Sequence, residues 1–246
     1  MRSIRLFSDL PLEPGREAVL PGSAAAHAVR VLRLRPGDAV TLFNGNGHEY
    51  RATLVAAGAR ELRAAVQSVA SPARESPLRV TLLQAIARGE KMDWIIQKAT
   101  ELGVARIVPV ATERSEVKLD ASRAGKRLEH WRAVVIAACE QCGRNTLPRI
   151  DAPVSLAAWL DANPIPPSAT RWMLEPEGAL RARDLQVPVP AELELAVGPE
   201  GGFGETDLAT LRGHAFRGLT LGPRILRTET AGVAAIAALQ ALYGDW

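Results

Sequence analysis

Leu193-Glu194-Leu195-Ala196-Val197-Gly198-Pro199-Glu200-Gly201-Gly202-Phe203-Gly204 is a short apolar run that opens into a loop of glycines with one proline. The same grammar returns at Leu219-Thr220-Leu221-Gly222-Pro223-Arg224-Ile225-Leu226-Arg227-Thr228-Glu229-Thr230. Each run reads as a buried strand, and each Gly-Pro pair as a stiffened loop that a ligand can approach closely. In an open parallel sheet, ligands bind beyond the carboxyl ends of the strands. Two such loops at adjacent strand ends predict one rigid, backbone-lined cradle; two ordinary turns are the plainer alternative.

Working outward, the chain from Leu78 onward alternates strand and helix. Strands are expected at Leu78–Ala85, Ala105–Val110, Arg171–Leu174, Leu193–Val197 and Leu219–Leu221. Helices are expected at Arg88–Leu102, ended by Gly103, and at Ser122–Gln141. The first shows Met92, Ile95, Ile96 and Ala99 on one face. The second carries Leu128, Trp131, Val135, Ala138 and Cys142 at helical spacing. Such alternation predicts an α/β domain with a mainly parallel sheet. The last helix, from about Thr228 to Tyr243, is apolar nearly all round from Ala231 to Leu239. It is expected either inside the core or against another subunit.

The first part of the chain reads as a small β-rich, barrel-like module. Strands are expected at Ala39–Phe43, Tyr50–Val55 and Glu61–Val69, with Asn44-Gly45-Asn46-Gly47 as a hairpin turn. A short helix falls between Pro21 and Leu34, with Ser23 as its expected N-cap. The polar, two-proline segment Ser71–Pro77 reads as a linker. Domains are therefore expected at residues 1–72 and 78–246.

Composition sets the class. With 246 residues, 47% hydrophobic and 23% charged, the chain can bury a substantial core. Its longest apolar stretch is far short of the ~20 residues of a membrane span. Met1-Arg2-Ser3-Ile4-Arg5 starts no apolar leader, so a cytoplasmic location is expected and no membrane partner. The first 77 residues hold ten arginines against seven acidic residues, so the whole net charge of +3 lies there. That bias suits a polyanionic partner. Cys139 and Cys142 form the single C-x-x-C in an apolar helical pattern, without a second pair to complete a zinc site. No metal is expected.

Several chemistries are excluded. Pro199-Glu200 breaks the register of a dinucleotide fingerprint, and Leu219 stands where its acidic residue would be. There is no G-K-[ST], no H-E-x-x-H and no G-x-S-x-G. A cradle poor in phosphate-binding features suits a ligand with an adenosine and a cationic sulfonium. Leu221, Ile225 and Leu226 are placed to sandwich the ring.

The two Gly-Pro segments Gly198–Gly202 and Leu221–Thr230 resemble those of the RsmE family of 16S ribosomal RNA uracil-N3 methyltransferases. Arg88-Gly89-Glu90-Lys91-Met92-Asp93, Gln97–Gly103, Ala138-Cys139-Glu140-Gln141-Cys142-Gly143-Arg144-Asn145 and His27–Arg33 extend the resemblance, in order, over essentially the whole chain. Between Asp151 and Pro190 little beyond Leu174-Glu175-Pro176 matches, and Glu175 stands where family members carry a histidine.

The resemblance implies a PUA-like RNA-binding β-barrel followed by a SPOUT domain with a trefoil knot, a feature that physics alone would not suggest because threaded chains are rare. It implies S-adenosyl-L-methionine as methyl donor, 16S ribosomal RNA of the small subunit as substrate, and a homodimer. The expected donor-binding set is Leu174, Val197, Gly198, Pro199, Glu200, Gly201, Gly202, Leu221, Gly222, Ile225, Leu226, Arg227 and Thr230. Methylation at N3 needs the imide proton removed and negative charge spread over O2 and O4. Arg144 and Arg227 are expected to stabilise that charge. Gln141 and Asn145 are expected to read O2, O4 or N3–H. Without the resemblance, the three residues near Gly143 would read as a helix end. The base stays open; Glu200 and Glu229 are the nearest carboxylates in sequence. Arg2, Arg5, Arg30, Arg33, Lys91, Arg114 and Lys118 are expected phosphate contacts.

Alternatives of other kinds are a ribosome-assembly factor that kept the fold without the activity, a methyltransferase acting on another RNA such as transfer RNA, and a nucleotide-dependent oxidoreductase.

Overall fold

The computed structural model describes residues 4–58, 61–115, 121–164, 169–185 and 192–246. The chain divides into two compact units, residues 1–75 with 139–147, and residues 76–138 with 148–246.

The first unit is a mixed five-stranded sheet in the order β1-β3-β4-β5-β2. Its strands are β1 (Ile4–Phe7), β2 (Glu17–Pro21), β3 (Ala39–Phe43), β4 (Glu49–Ala57) and β5 (Glu61–Ala70). β1 pairs parallel with β3, and the other ladders are antiparallel. Tyr50, Ala52 and Leu54 alternate inward along β4, and Leu62, Ala64 and Val66 along β5. This is the period-two pattern of a sheet with one wet face. In the expected hairpin turn, the Asn44 side chain accepts from the Asn46 amide at 3.4 Å, and the Asn46 side chain accepts from the His48 amide at 2.9 Å. Helix α1 (Gly22–Arg30) starts directly after β2, so Ser23 is its second residue and not its cap, a correction. The helix begins at Gly22, directly after β2 ends at Pro21, one residue before the expected cap. β1 and β2 escaped the sequence reading because each is short, and β1 carries Arg5 inside its apolar pattern.

The second unit is a parallel sheet in the order β11-β13-β10-β12-β6-β7-β8, with β9 paired to β7. Its strands are β6 (Arg79–Ala85), β7 (Arg106–Ala111), β8 (Arg149–Ile150), β9 (Val154–Ser155), β10 (Ala169–Leu174), β11 (Leu180–Arg181), β12 (Glu192–Val197) and β13 (Arg217–Thr220). The helices are α2 (Glu90–Glu101), α3 (Ala121–Cys142), α4 (Leu156–Ala162), α5 (Glu205–Gly213) and α6 (Thr228–Tyr243). Leu82, Leu83, Leu195 and Ala196 are fully buried on both sides of the sheet, which explains why these central strands read as continuous apolar runs.

On one face, Leu83, Val108 and Met173 pack with Leu156, Trp159 and Leu160 of α4 and Leu211 of α5. On the other, α2 lies against α6. Met92, Ile95, Ile96 and Ala99 are buried as their spacing predicts, each large side chain contributing about 1.5–3 kcal/mol. The buried residues of α6 are Thr228, Gly232, Ala235, Ile236, Leu239 and Gln240, while Val233, Ala234, Ala237 and Ala238 are half-exposed. α6 therefore has one buried stripe and one half-exposed apolar stripe. Two helices were not foreseen. α4 is capped by the Ser155 hydroxyl, which accepts from the Ala158 amide at 3.2 Å. α5 is capped by Asp207, whose carboxylate accepts from the Gly204 amide at 3.1 Å and the Glu113 amide at 3.0 Å.

Candidate active site

β13, β10 and β12 are parallel neighbours, so the loops that follow them meet at one edge of the sheet. Between these loops lies a cavity of about 500 Å³, within the range of small-molecule sites, roughly 300–1,000 Å³. Its walls are residues 174–177 at the end of β10, 197–203 at the end of β12, and 219–222 and 224–226 at the end of β13, with Thr228 and Ala231 from the start of α6.

The walls are close because side chains are missing where backbones meet. A Cβ on Gly178 would fall 2.6 Å from the carbonyl carbon of Gly218, so the turn after β10 lies directly on β13. A Cβ on Gly198 would sit 3.1 Å from the Phe203 nitrogen and 3.2 Å from the Gly202 carbonyl carbon. The loop after β12 thus folds back on its own start, closed by the Gly202 amide donating to the Pro199 carbonyl at 2.9 Å. The lining is apolar at Leu174, Val197, Phe203, Leu219 and Leu221. Ile225 stands 86% exposed on the loop after β13.

Charge is arranged around this apolar interior. Glu200 lies on the wall and accepts from Lys91 of α2 at 2.9 Å. Burial tends to raise its pKa, but the Lys91 hydrogen bond and backbone N–H groups hold it below the ordinary carboxylate range. Lys91 also reaches Glu229 at 4.0 Å. Glu175 accepts from Arg212 of α5 at 2.6 Å and lines the cavity beside Glu177. Arg114 lines it too and donates to the Gly201 carbonyl at 2.9 Å.

Of the expected donor-binding set, Leu174, Val197, Gly198, Pro199, Glu200, Gly201, Gly202, Leu221, Gly222, Ile225 and Leu226 line this one cavity. Arg227 and Thr230 do not. Arg227 precedes α6, and its carbonyl accepts from the Thr230 and Ala231 amides at 2.9 and 2.8 Å.

The segment after α3 forms a second cluster, with the first unit. Arg144 is buried, donating to Glu75 through Nε at 3.0 Å and Nη2 at 2.6 Å. Asn145 is buried, its Oδ1 accepting from Arg5 at 2.6 Å, while its Nδ2 has no hydrogen-bond partner among the described residues. Arg5 also donates to the Arg144 carbonyl at 3.0 Å and to Glu49 at 3.1 Å. Gln141 is exposed one turn earlier. A hydrogen bond with Cys142, then burial, pushes the Cys139 thiol up, away from thiolate. No group of metal-binding side chains is found among the described residues.

The expected phosphate contacts fall into different settings. Arg30 and Arg33 are exposed on the first unit. Arg5 is nearly enclosed, and its donors organise Asn145 and Glu49, so it is placed to hold the cluster together rather than to meet phosphate. Lys91 is engaged by carboxylates and Arg114 is at the cavity. Arg2 and Lys118 lie outside the described residues. The sequence reading passed over Gln84 and Thr228, although a glutamine inside the apolar run Leu82-Leu83-Gln84-Ala85-Ile86 was a visible signal.

Comparison with known proteins agrees with this layout. Residues 74–240 match the RNA methyltransferase domain family and residues 20–67 the RNA methyltransferase PUA domain family. The chain is 32% identical to the ribosomal RNA small subunit methyltransferase E of Bacillus subtilis, over 98% of this chain and 99% of that one. It is similar in structure to the enzyme of the same name from Neisseria gonorrhoeae bound to S-adenosyl methionine, with a TM-score of 0.90, 38% identity and full coverage of both chains. A methyltransferase of Legionella pneumophila, in complex with bound SAM, gives a TM-score of 0.94 at 39% identity, again over both whole chains.

Proposed function

The chain belongs to the ribosomal RNA small subunit methyltransferase E family, and from that membership we infer that it methylates N3 of a specific uridine in 16S ribosomal RNA, with S-adenosyl-L-methionine as donor. The observation that carries the reading is the cavity at the carboxyl edge of the sheet, whose walls are the glycine loops after β12 and β13.

The residues present fit the donor. The cavity volume suits a ligand of nucleoside size. Leu221, Ile225 and Leu226 offer apolar cover for an adenine, and the exposed residues 200–202 offer backbone groups for its edge. Glu175, Glu177 and Glu200 share the wall with Arg114 and Arg224, so the lining carries both signs, as a ligand with a cationic sulfonium and a carboxylate requires. S-adenosyl-L-methionine supplies a methyl group on a cationic sulfonium. The chain's own task is to place uracil N3 in line with that methyl and to stabilise the uracil anion. Arg227, exposed just before α6, and Gln141, exposed on α3, are each proposed as substrate contacts. Arg144 and Asn145 act from within their buried cluster, which sets the end of α3 that carries Gln141. Glu200, held ionised by Lys91, is a weak proton acceptor, so the base role falls less naturally on it.

RNA contact is assigned to Arg30 and Arg33 on the first unit and Arg114 beside the cavity, together with Arg2 and Lys118. Assembly as a homodimer is supported by the half-exposed apolar stripe of α6. The reading places the protein in the cytoplasm with its ribosomal substrate; no helix among the described residues is long and apolar enough to cross a membrane.

The test is transfer of labelled methyl from the donor to small ribosomal subunits, large subunits and transfer RNA, each taken from cells lacking the enzyme. Label confined to small subunits is expected. Label on transfer RNA with none on small subunits would overturn the substrate.

A further inference from the structure

We propose that Gln84 is a positioning residue for the donor cavity: acting through Thr228, it fixes the Gly198 carbonyl and with it the loop 198–204. The inference rests on the reading of this cavity as the donor site.

Gln84 sits in β6, fully buried among Leu82, Leu83 and Ala85. Its amide nitrogen donates to the Ala85 carbonyl at 3.0 Å and to the Thr228 hydroxyl at 3.2 Å. The Thr228 hydroxyl donates to the Gly198 carbonyl at 2.6 Å. The direction of the relay is forced. A carbonyl only accepts and a hydroxyl has one hydrogen, so Thr228 must give that hydrogen to Gly198 and accept from Gln84. Reversing the amide would set Oε1 against two acceptors, Ala85 O and Thr228 Oγ1. Only a side chain with two N–H groups satisfies both at once.

The relay joins the two halves of the cradle. Gly198 is the first residue of the loop after β12, and Thr228 is the first residue of α6, immediately after the other loop. Both line the cavity, whereas Gln84 does not. Gln84 therefore anchors both loops to the central strand β6 from behind. For packing alone an apolar side chain would serve better here. Oε1 has no hydrogen-bond partner among the described residues, and a Cβ on Gly232 would lie only 3.4 Å from it. A buried amide with an unmet acceptor is a cost to folding. Its offset is the ordering of Gly198, whose carbonyl would otherwise be free to turn.

Three variants and one double variant test this in the full chain. Thr228→Val removes the hydroxyl with little change of shape, Thr228→Ser restores it, and Gln84→Met removes the amide. S-adenosyl-L-methionine affinity is read by calorimetry, and folding by the urea midpoint. Thr228→Val and Gln84→Met are each expected to weaken the donor about tenfold, the scale of one hydrogen bond. The double variant should lose about as much as either single one, because Gln84 acts through Thr228. Thr228→Ser should stay within about twofold of the parent, and in steady state KM for the donor should rise while KM for RNA holds. The proposal is overturned if the two losses multiply, if Thr228→Ser is as weak as Thr228→Val, or if Gln84→Met lowers the urea midpoint with donor affinity unchanged. A parent protein that binds no donor would overturn the donor-site reading as well, whereas a parent that binds alongside unaffected variants overturns the relay alone.

Discussion

A methyl group on Gly198 would meet backbone, not a movable side chain, since the nearest atoms are the Phe203 nitrogen and the Gly202 carbonyl. Gly198→Ala is therefore expected to reshape the loop and weaken donor binding by about tenfold or more, measured by calorimetry; unchanged affinity would mean the loop does not shape the site. Arg144 presents a different case. It is enclosed, and removing it leaves Glu75, about a third exposed, without its guanidinium. Arg144→Ala should cost about 1–2 kcal/mol of stability in urea unfolding, so its effect on rate must be read at a temperature where the variant is folded. Glu200 carries a pH signature. Its carboxyl is held below the ordinary value, so its ion pair with Lys91 contributes to stability above about pH 4.3 and is lost as pH falls through the depressed folded value. Lys91→Met should move the Glu200 titration, followed by carboxyl NMR, back upward. At this scale the cradle glycines were legible because their chemistry is local. Arg5 was not: a strand arginine reads as surface charge until Glu49 and Asn145 are found around it.

Among the elements, the long helix α2 could be read because burial of one face sets a helical period, and the central strands because burial of both faces makes them continuous apolar runs. α6 spans Thr228–Tyr243, matching the approximate bounds its apolar pattern implied. α4 and α5 were missed although both carry capping signals, Ser155 and Asp207, because each spans only two turns and offers too short a period. The strands β8, β9 and β11, two residues each, exist only through their neighbours and have no signature of their own. α6 also yields a prediction. Its half-exposed stripe of Val233, Ala234, Ala237 and Ala238 continues to Leu242, 47% exposed. If this stripe is the subunit contact, Leu242→Asp should shift the protein from dimer to monomer in analytical ultracentrifugation, with the helix retained by circular dichroism. A parent that is monomeric at working concentrations would remove the dimer from the account.

For the molecule as a whole, the division of labour is written in the charge. The net +3 belongs to the first 77 residues, and the rest is balanced. The first unit is thereby suited to a polyanion. Combined Arg30→Ala and Arg33→Ala should weaken RNA binding at low salt and flatten its salt dependence, lowering the slope of log K against log salt by roughly 1–2. The donor cavity should be indifferent to that change. The most direct measurement of the central claim is mass spectrometry of nucleosides from 16S ribosomal RNA, after small subunits from cells lacking the enzyme are incubated with the purified protein and S-adenosyl-L-methionine. The account predicts N3-methyluridine at a single position, absent without the donor. A methyl group on ribose, on another base or on another ring atom of uridine would contradict it.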